Sequence, residues 1–540
     1  MPLDRSRIRR GCAGWGWGAV LLLCLAVAGL AAGEASAGTI FVTHLEQRIQ
    51  SRTDEDFEGG CSLQEAIYAA NFDDNIAIGS YLGNTPVFVR TGCVPGSGDD
   101  VIVLPTRSVL EMKEIVNDAF NPFGPTATPV ITSHIIIEAR GATLQFIPST
   151  KTGGHLFHHE TVPVYFRAFS VGSTGHLTLR NARVRGFVTH GGNGGFIAEQ
   201  NGEAISTDGG GGGLGAGGAI FVHAGGVTVE GCTFEGNGAI GGDGAGHSDH
   251  VGGGGGGGLG GWGGPAACEY DGGGGGGSRG YGVGSCAGDG GGTLRDANNG
   301  TPGYACGGLS GWRGNHEGGA VDDGEDAPCA GGGGGAGGGS ATSSYNGGKG
   351  NYGGGGGGGG EGGDGGDGGF GGGGGAGYAG TLFGSDGGNG GFGGGGGAGP
   401  NSSVTDGDPG NGGLFGGHAN HVNGGGGAAL GGAIFSDYGR VDVRNCTFTG
   451  NFVTRGNGGS APDPGQANNG RGAGAAIFSV NGNLSVVHST ISGNEATGFG
   501  GGIVVVQYDE AAPTSFVLQN TIMANNGPRE CSIATINMAT

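Results

Sequence analysis

One phrase is written three times in this chain. GGAIFVHAGGVTVEGCTFEGN (Gly217 to Asn237) returns as GGAIFSDYGRVDVRNCTFTGN (Gly431 to Asn451) and as GAAIFSVNGNLSVVHSTISGN (Gly474 to Asn494). Within each copy apolar residues alternate, as in Val227/Val229, Val441/Val443 and Leu484/Val486. Alternation over short runs bounded by Gly and Asn predicts strands rather than helices. A unit this short cannot bury an apolar face alone, but it can when stacked on copies of itself. The expected fold is therefore all-β, a parallel β-helix in which each copy is one coil.

Stacking makes specific predictions. Phe234, Phe448, Ile491 and Ile522 should pile up inside the tube. Asn237, Asn451, Asn494 and Asn525 should align at one corner. Asn tolerates the left-handed backbone of a sharp turn, and stacked amides can bond to one another. That ladder is preferred to the plainer reading of surface turns. Cys232 and Cys446 share an offset with Ser489 and read as small inward fillers. Weaker coils are expected at Leu177 to Phe187 and Gly500 to Asn526, with opening strands at Asp99 to Pro105 and Ile135 to Ile147.

The start reads as an export signal: Arg5, Arg7, Arg9 and Arg10, an apolar run from Ala19 to Ala32, then Ala35-Ser36-Ala37 before Gly38. That run is too short for a membrane-spanning helix, and no second apolar span follows. Removing residues 1–37 takes four arginines with Asp4 and Glu34, moving the formal charge from −22 to −24. So acidic a chain is a poor partner for nucleic acid, which is held by clustered cations. Export permits disulfides. Cys61 and Cys93 are the first candidate pair, while Cys268, Cys286, Cys306 and Cys329 allow three pairings among themselves. None of these lies in a CxxC, so disulfides are preferred to zinc.

CSLQEAIYAAN (Cys61 to Asn71) has capping-box spacing at Ser62 and Glu65. Its Leu63, Ala66, Ile67 and Ala70 share one helical face, so a short helix could seal the open end of the tube. Followed by DDVIVLP and IIIEARGATL, this stretch resembles the N-terminal module of bacterial exported proteins named for a CSLREA motif, with Gln64 in place of arginine. The GGAI and FxxN words resemble the repeat of chlamydial polymorphic outer-membrane proteins. Both resemblances imply a right-handed parallel β-helix at a bacterial surface or in the medium.

Roughly 90 of the 147 glycines fall between Gly241 and Leu430, a long insertion leaving after Asn237 and returning before Gly431. Closing such a loop is cheap, but ordering it costs about 1–2 kcal/mol per residue with few side chains to bury. The preferred expectation is a flexible loop with disulfide-tied islands; the alternative is a bundle of extended polyproline-II-like segments. HSDH and HANH lie near the two stems, so His247, His250, His418 and His421 could form a metal site, although ordinary loop histidines are the stronger reading.

The organisation expected is a signal at 1–37, a cap and first coils at 38–150, coils at 151–240, the insertion at 241–427 and further coils at 428–540. Parallel β-helices also carry polysaccharide lyases and hydrolases, so fold alone decides nothing. The repeat strands offer only scattered candidates (Asp437, Asp442, Glu230, Arg444, His223), with Asp437 and His223 at one shared offset. No catalytic set is expected, and no cofactor beyond a calcium or zinc option. The favoured role is a secreted or surface scaffold, adhesive or ligand-contacting, with glycans or envelope components as partners. The alternatives are a polysaccharide-active enzyme and a metal-binding surface protein.

Overall fold

A computed structural model describes most of residues 38–246 and 407–536, and, in the glycine-rich region, 253–264, 272–278, 326–327, 332–333, 344–378 and 385–399. The signal segment, His247, His250 and Cys268, Cys286, Cys306 and Cys329 lie outside the described residues.

The repeats lie on one another in register. Ile220–His223 pairs in parallel with Ile434–Asp437, and that strand with Ile477–Val480. Gly226–Glu230, Arg440–Arg444 and Asn483–Val487 follow one another in an eight-stranded parallel sheet. Thr233–Glu235, Thr447–Thr449 and Thr490–Ser492 do so in a seven-stranded one. The first set belongs to a six-stranded sheet, and two further parallel sheets have four strands each. The Phe234 and Phe448 rings stack with centroids 4.8 Å apart and planes 10° apart. That separation is the spacing of paired strands, so like-numbered side chains sit directly above each other, as the repeat demands. Each fully buried Phe contributes about 1.5–3 kcal/mol, and one such layer recurs in every copy.

The weaker repeats are present too, with strands His176–Arg180, Arg183–Arg185, His134–Glu138, Thr143–Phe146 and Asp100–Val103 in these sheets. The last repeat corrects two positions. Ile491 pairs with Met523, not Ile522, which is 65 % exposed. Asn494 bonds to Asn526, not Asn525. Ungapped alignment of FVLQNTIMANN on LSVVHSTISGN gives this register, because strand pairing admits no one-residue slip without turning side chains inside out.

The asparagine corner is also corrected in detail. The left-handed residue is the one before each ladder asparagine: Gly236 (φ 61), Gly450 (φ 63), Gly493 (φ 69) and Asn525 (φ 58). The asparagines themselves are buried. Asn237 Nδ2 donates to Asn451 Oδ1 at 3.0 Å, Asn451 to Asn494 at 2.8 Å, and Asn494 to Asn526 at 2.7 Å. Each also donates to a backbone carbonyl of the preceding repeat, so the buried amides are paired. Glu530 terminates the row by accepting from Asn526.

At the other end, the helix Leu63–Phe72 closes the stack. Ser62 and Glu65 form the expected capping box, and Glu65 also accepts from Gln50 N at 2.8 Å. Leu63, Ala66, Ile67 and Ala70 join the central apolar core. Gln64 is buried and donates to Ala127 O. Cys61 and Cys93 form the expected disulfide.

The glycine-rich segments depart from the preferred expectation: where described, they are ordered. Gly211 donates to Gly374, Gly212 to Gly425, Gly213 to Gly192, and Leu214 to Gly371. Successive amides thus serve three neighbours and the first segment recurs at the fourth, the three-residue periodicity of polyproline II. Every third residue faces the same neighbour, so a segment can be bonded on all sides. Gly238–Ile240 and Ala429–Leu430 are strands of the stack and lie on the coil side of the expected insertion bounds, 241–427. Excursions leave the same corner after His190 and Thr454, and together these three supply the bundle.

Candidate functional site

The bundle rests on the outer face of the six-stranded sheet, and polar chemistry collects at that seam. In each AIF word the residues alternate: Ile220, Ile434 and Ile477 enter the central core, while Phe221, Phe435 and Phe478 face the bundle. The three rings form a column with spacings of 5.0 and 5.7 Å. The bundle supplies a second column, Tyr352, Phe370 and Phe392, at 4.7 and 5.1 Å with planes within 7°. These rings lie at matching places in NYGG, GFGG and GFGG.

Tyr352 stands 18 residues before Phe370, and from there the period is 22 residues. Asp386 N donates to Asp364 Oδ1, Asp408 N to Asp386 Oδ1, Asn389 N to Asp367 Oδ1 and Asn411 N to Asn389 Oδ1, all at 2.8–2.9 Å. DGGNGGF (386–392) therefore seats on DGGDGGF (364–370), and DPGNGGL (408–414) on DGGNGGF, through their acidic or amide residues.

At the head of the seam the structure brings together His223 and Asp437, which share an offset and pair in register. His223 Nδ1 lies 2.8 Å from Asp437 Oδ2 and 3.2 Å from the Tyr352 hydroxyl. The carboxylate is a hydrogen-bond acceptor, so it holds the proton on Nδ1. The Asp437 side chain is 2 % exposed and that of His223 is 31 % exposed. Asp437 Oδ1 has no hydrogen-bond partner among the described residues. Burial pushes the Asp437 carboxyl above its ordinary value, and the His223 contact only partly opposes this. Burial likewise raises the Tyr352 phenol well above its usual range, with Asp437 adding to the effect. Phe123 and Tyr352 pack against the imidazole at 5.6 and 4.9 Å.

Arg167 lies on the same seam and is fully buried. Its guanidinium donates to the carbonyls of Gly217, Ala216 and Phe123 and sits 5.0 Å from the centre of the Phe221 ring. Burial lowers it to about 9. The leading glycine of the repeat is thus fastened by a cation that the repeat words do not reveal; RAF (Arg167 to Phe169) stands where the next two copies have GAI and the third has AAI, which disguises the equivalence.

The other acidic and basic candidates go elsewhere. Glu138, Arg180 and Glu230 form a row on the eight-stranded sheet at 2.7 and 2.8 Å, with Arg444 4.0 Å from Glu230. Asp442 pairs with Arg440 at 2.7 Å. Of the four candidate metal ligands, His418 and His421 are described, and His421 Nδ1 lies 3.2 Å from Gly407 O. Among the described residues no group of three or more His, Cys, Asp or Glu is placed to hold a metal. One cavity, of about 220 Å³, lies beside the cap helix, lined by Tyr68, Asn71, Phe72, Asp118, Phe120, Val130 and Thr132.

The His223–Asp437–Tyr352 cluster is geometrically a clasp, since one member belongs to the bundle and two to the sheet. His223→Ala is expected to cost about 2 kcal/mol, the low side for breaking a buried pair because the imidazole is partly solvated. A urea midpoint against wild type measures it. Asp437 sets the pH response. Its folded pKa lies above 3.8, so its contribution is most favourable below that value and is lost as pH rises through the folded pKa. Asp437→Asn should flatten that fall in a midpoint-against-pH series.

No protein-family model, curated protein or solved structure matches this chain. Among the described residues no helix is long and apolar enough to cross a membrane.

Proposed function

We propose that the chain is an exported right-handed parallel β-helix that serves as a rigid extracellular or surface scaffold, adhesive or ligand-contacting, with a glycine bundle mounted on one flank. The observation that carries this reading is the use made of the buried polar groups. The asparagine row, the Arg167 contacts and the His223–Asp437–Tyr352 clasp all join one layer to the next. What faces solvent is repetitive and acidic: Asp364, Asp386 and Asp408 in a row. A regular array of this kind suits contact with an extended partner such as a glycan or an envelope polymer, whose own groups repeat.

The test has two arms. Cells producing the full chain are fractionated, and the protein is expected in the medium or envelope, cleaved before Gly38; recovery as an uncleaved cytosolic protein defeats the export reading. The purified protein is then incubated with acidic polysaccharides, with and without calcium. The scaffold reading expects binding or no interaction, but no shortening of the polymer. Cleavage that disappears in His223→Ala would establish the polysaccharide-active alternative, which the His223–Asp437 contact alone favours.

A further inference from the structure

Cys232 and Cys446 hold the same corner in the two repeats that flank the glycine-rich excursion. Their strands are direct neighbours in both adjoining sheets, although the residues are 214 apart in the chain. The corner is a hydrogen-bonded row. Cys232 N donates to Cys446 Sγ at 3.3 Å, Cys446 N to Ser489 Oγ at 3.2 Å, and Ser489 N to Thr521 Oγ1 at 3.4 Å. A hydroxyl evidently suffices for this row, because Ser and Thr occupy its later places. Sulfur appears only on the two repeats separated by the excursion.

Both thiols are free and buried in the structure, each donating to backbone carbonyls at the corner. Neighbouring strands lie about 4.8 Å apart, inside the roughly 4.4–6.8 Å window between the Cα atoms of a disulfide. The chain already carries one disulfide, Cys61–Cys93. We propose that Cys232 and Cys446 form a second disulfide that ties together the two ends of the glycine-rich excursion. The two thiols lose two protons and two electrons to a disulfide oxidant such as glutathione disulfide, which departs as two thiols. One S–S bond forms and one is broken.

This goes beyond the scaffold reading but rests on the export that reading includes, since disulfides persist in oxidising compartments. The test uses the wild-type full chain, recovered from an oxidising compartment and incubated with glutathione disulfide. It is then denatured in iodoacetamide without reductant, digested and mapped by mass spectrometry. The expected product is a linked pair of peptides containing Cys232 and Cys446, two hydrogens lighter than the free thiols, in the majority of molecules and abolished by prior reduction. Complete alkylation of both residues while Cys61–Cys93 stays linked overturns the proposal. So does linkage of either residue to any other cysteine.

Discussion

Gly373→Ala is expected to unseat the glycine bundle while leaving the repeat stack folded. A Cβ at this position would lie 2.1 Å from Gly211 O and 3.0 Å from Gly212 O. Both are backbone atoms, so no side chain can swing aside. Relief requires two segments to part by more than an ångström. That movement breaks a set of close bonds, among them Gly373 N to Gly257 O at 2.8 Å, Gly356 N to Gly373 O at 2.9 Å and Gly211 N to Gly374 O at 2.8 Å. At about 1–3 kcal/mol for each buried group left unpaired, the cost is at least about 4 kcal/mol, enough to open the bundle locally. Gly450→Ala is the control. Its φ of 63° carries strain, but the nearest atom is 3.9 Å away, so about 1–2 kcal/mol is expected. Hydrogen exchange separates the two. Gly373→Ala should lose protection across 253–259 and 353–377, and Gly450→Ala should not. Equal, small effects would mean that the segments do not pack as described.

That contrast explains which parts of the fold were legible. The repeat words encode register directly, and Phe234 over Phe448 follows from spelling alone. The cap was readable because Ser62 and Glu65 carry a local mechanism. The bundle is not legible from side-chain burial, because almost none of its stabilisation lies there. Its return comes from the backbone: mutual N–H···O bonds, close Cα approaches to carbonyl oxygens, and the exclusion of any Cβ that would interrupt them. Glycine loses the most entropy on ordering, yet it alone permits this packing. A signal did exist in the 22-residue return of Asp364/Asp386/Asp408 and of Phe370/Phe392. The seam was half legible. The shared offset joined His223 to Asp437, but Tyr352 and Arg167 depend on where the excursion lands, and no local pattern records that.

The second large effect belongs to Asn451, at the centre of the buried row. Its Oδ1 accepts from both the backbone N and the side-chain Nδ2 of Asn237, each at 3.0 Å. Its Nδ2 donates to Asn494 Oδ1 at 2.8 Å and to Phe234 O at 3.1 Å. Asn451→Ala removes all four bonds and leaves two donors and two acceptors in a corner sealed from water. Partial relaxation and an entering water would satisfy some of them, so the expected loss is about 3–5 kcal/mol rather than the sum of four desolvation costs. Asn451→Asp is the sharper variant. It keeps the acceptor for Asn237 but sets a carboxylate where Asn494 Oδ1 and Phe234 O need a donor. Its loss should therefore deepen as pH rises through the carboxyl pKa and shrink in acid, where the protonated oxygen can donate. Asn445→Ala, at an exposed corner with φ 51, should cost about 1 kcal/mol or less, since αL favours Asn over Ala only modestly. Urea midpoints for the three variants across pH provide the measurement. A near-neutral Asn451→Ala would show that the amides line a solvated groove, and the row would then no longer account for how the repeats are held in register.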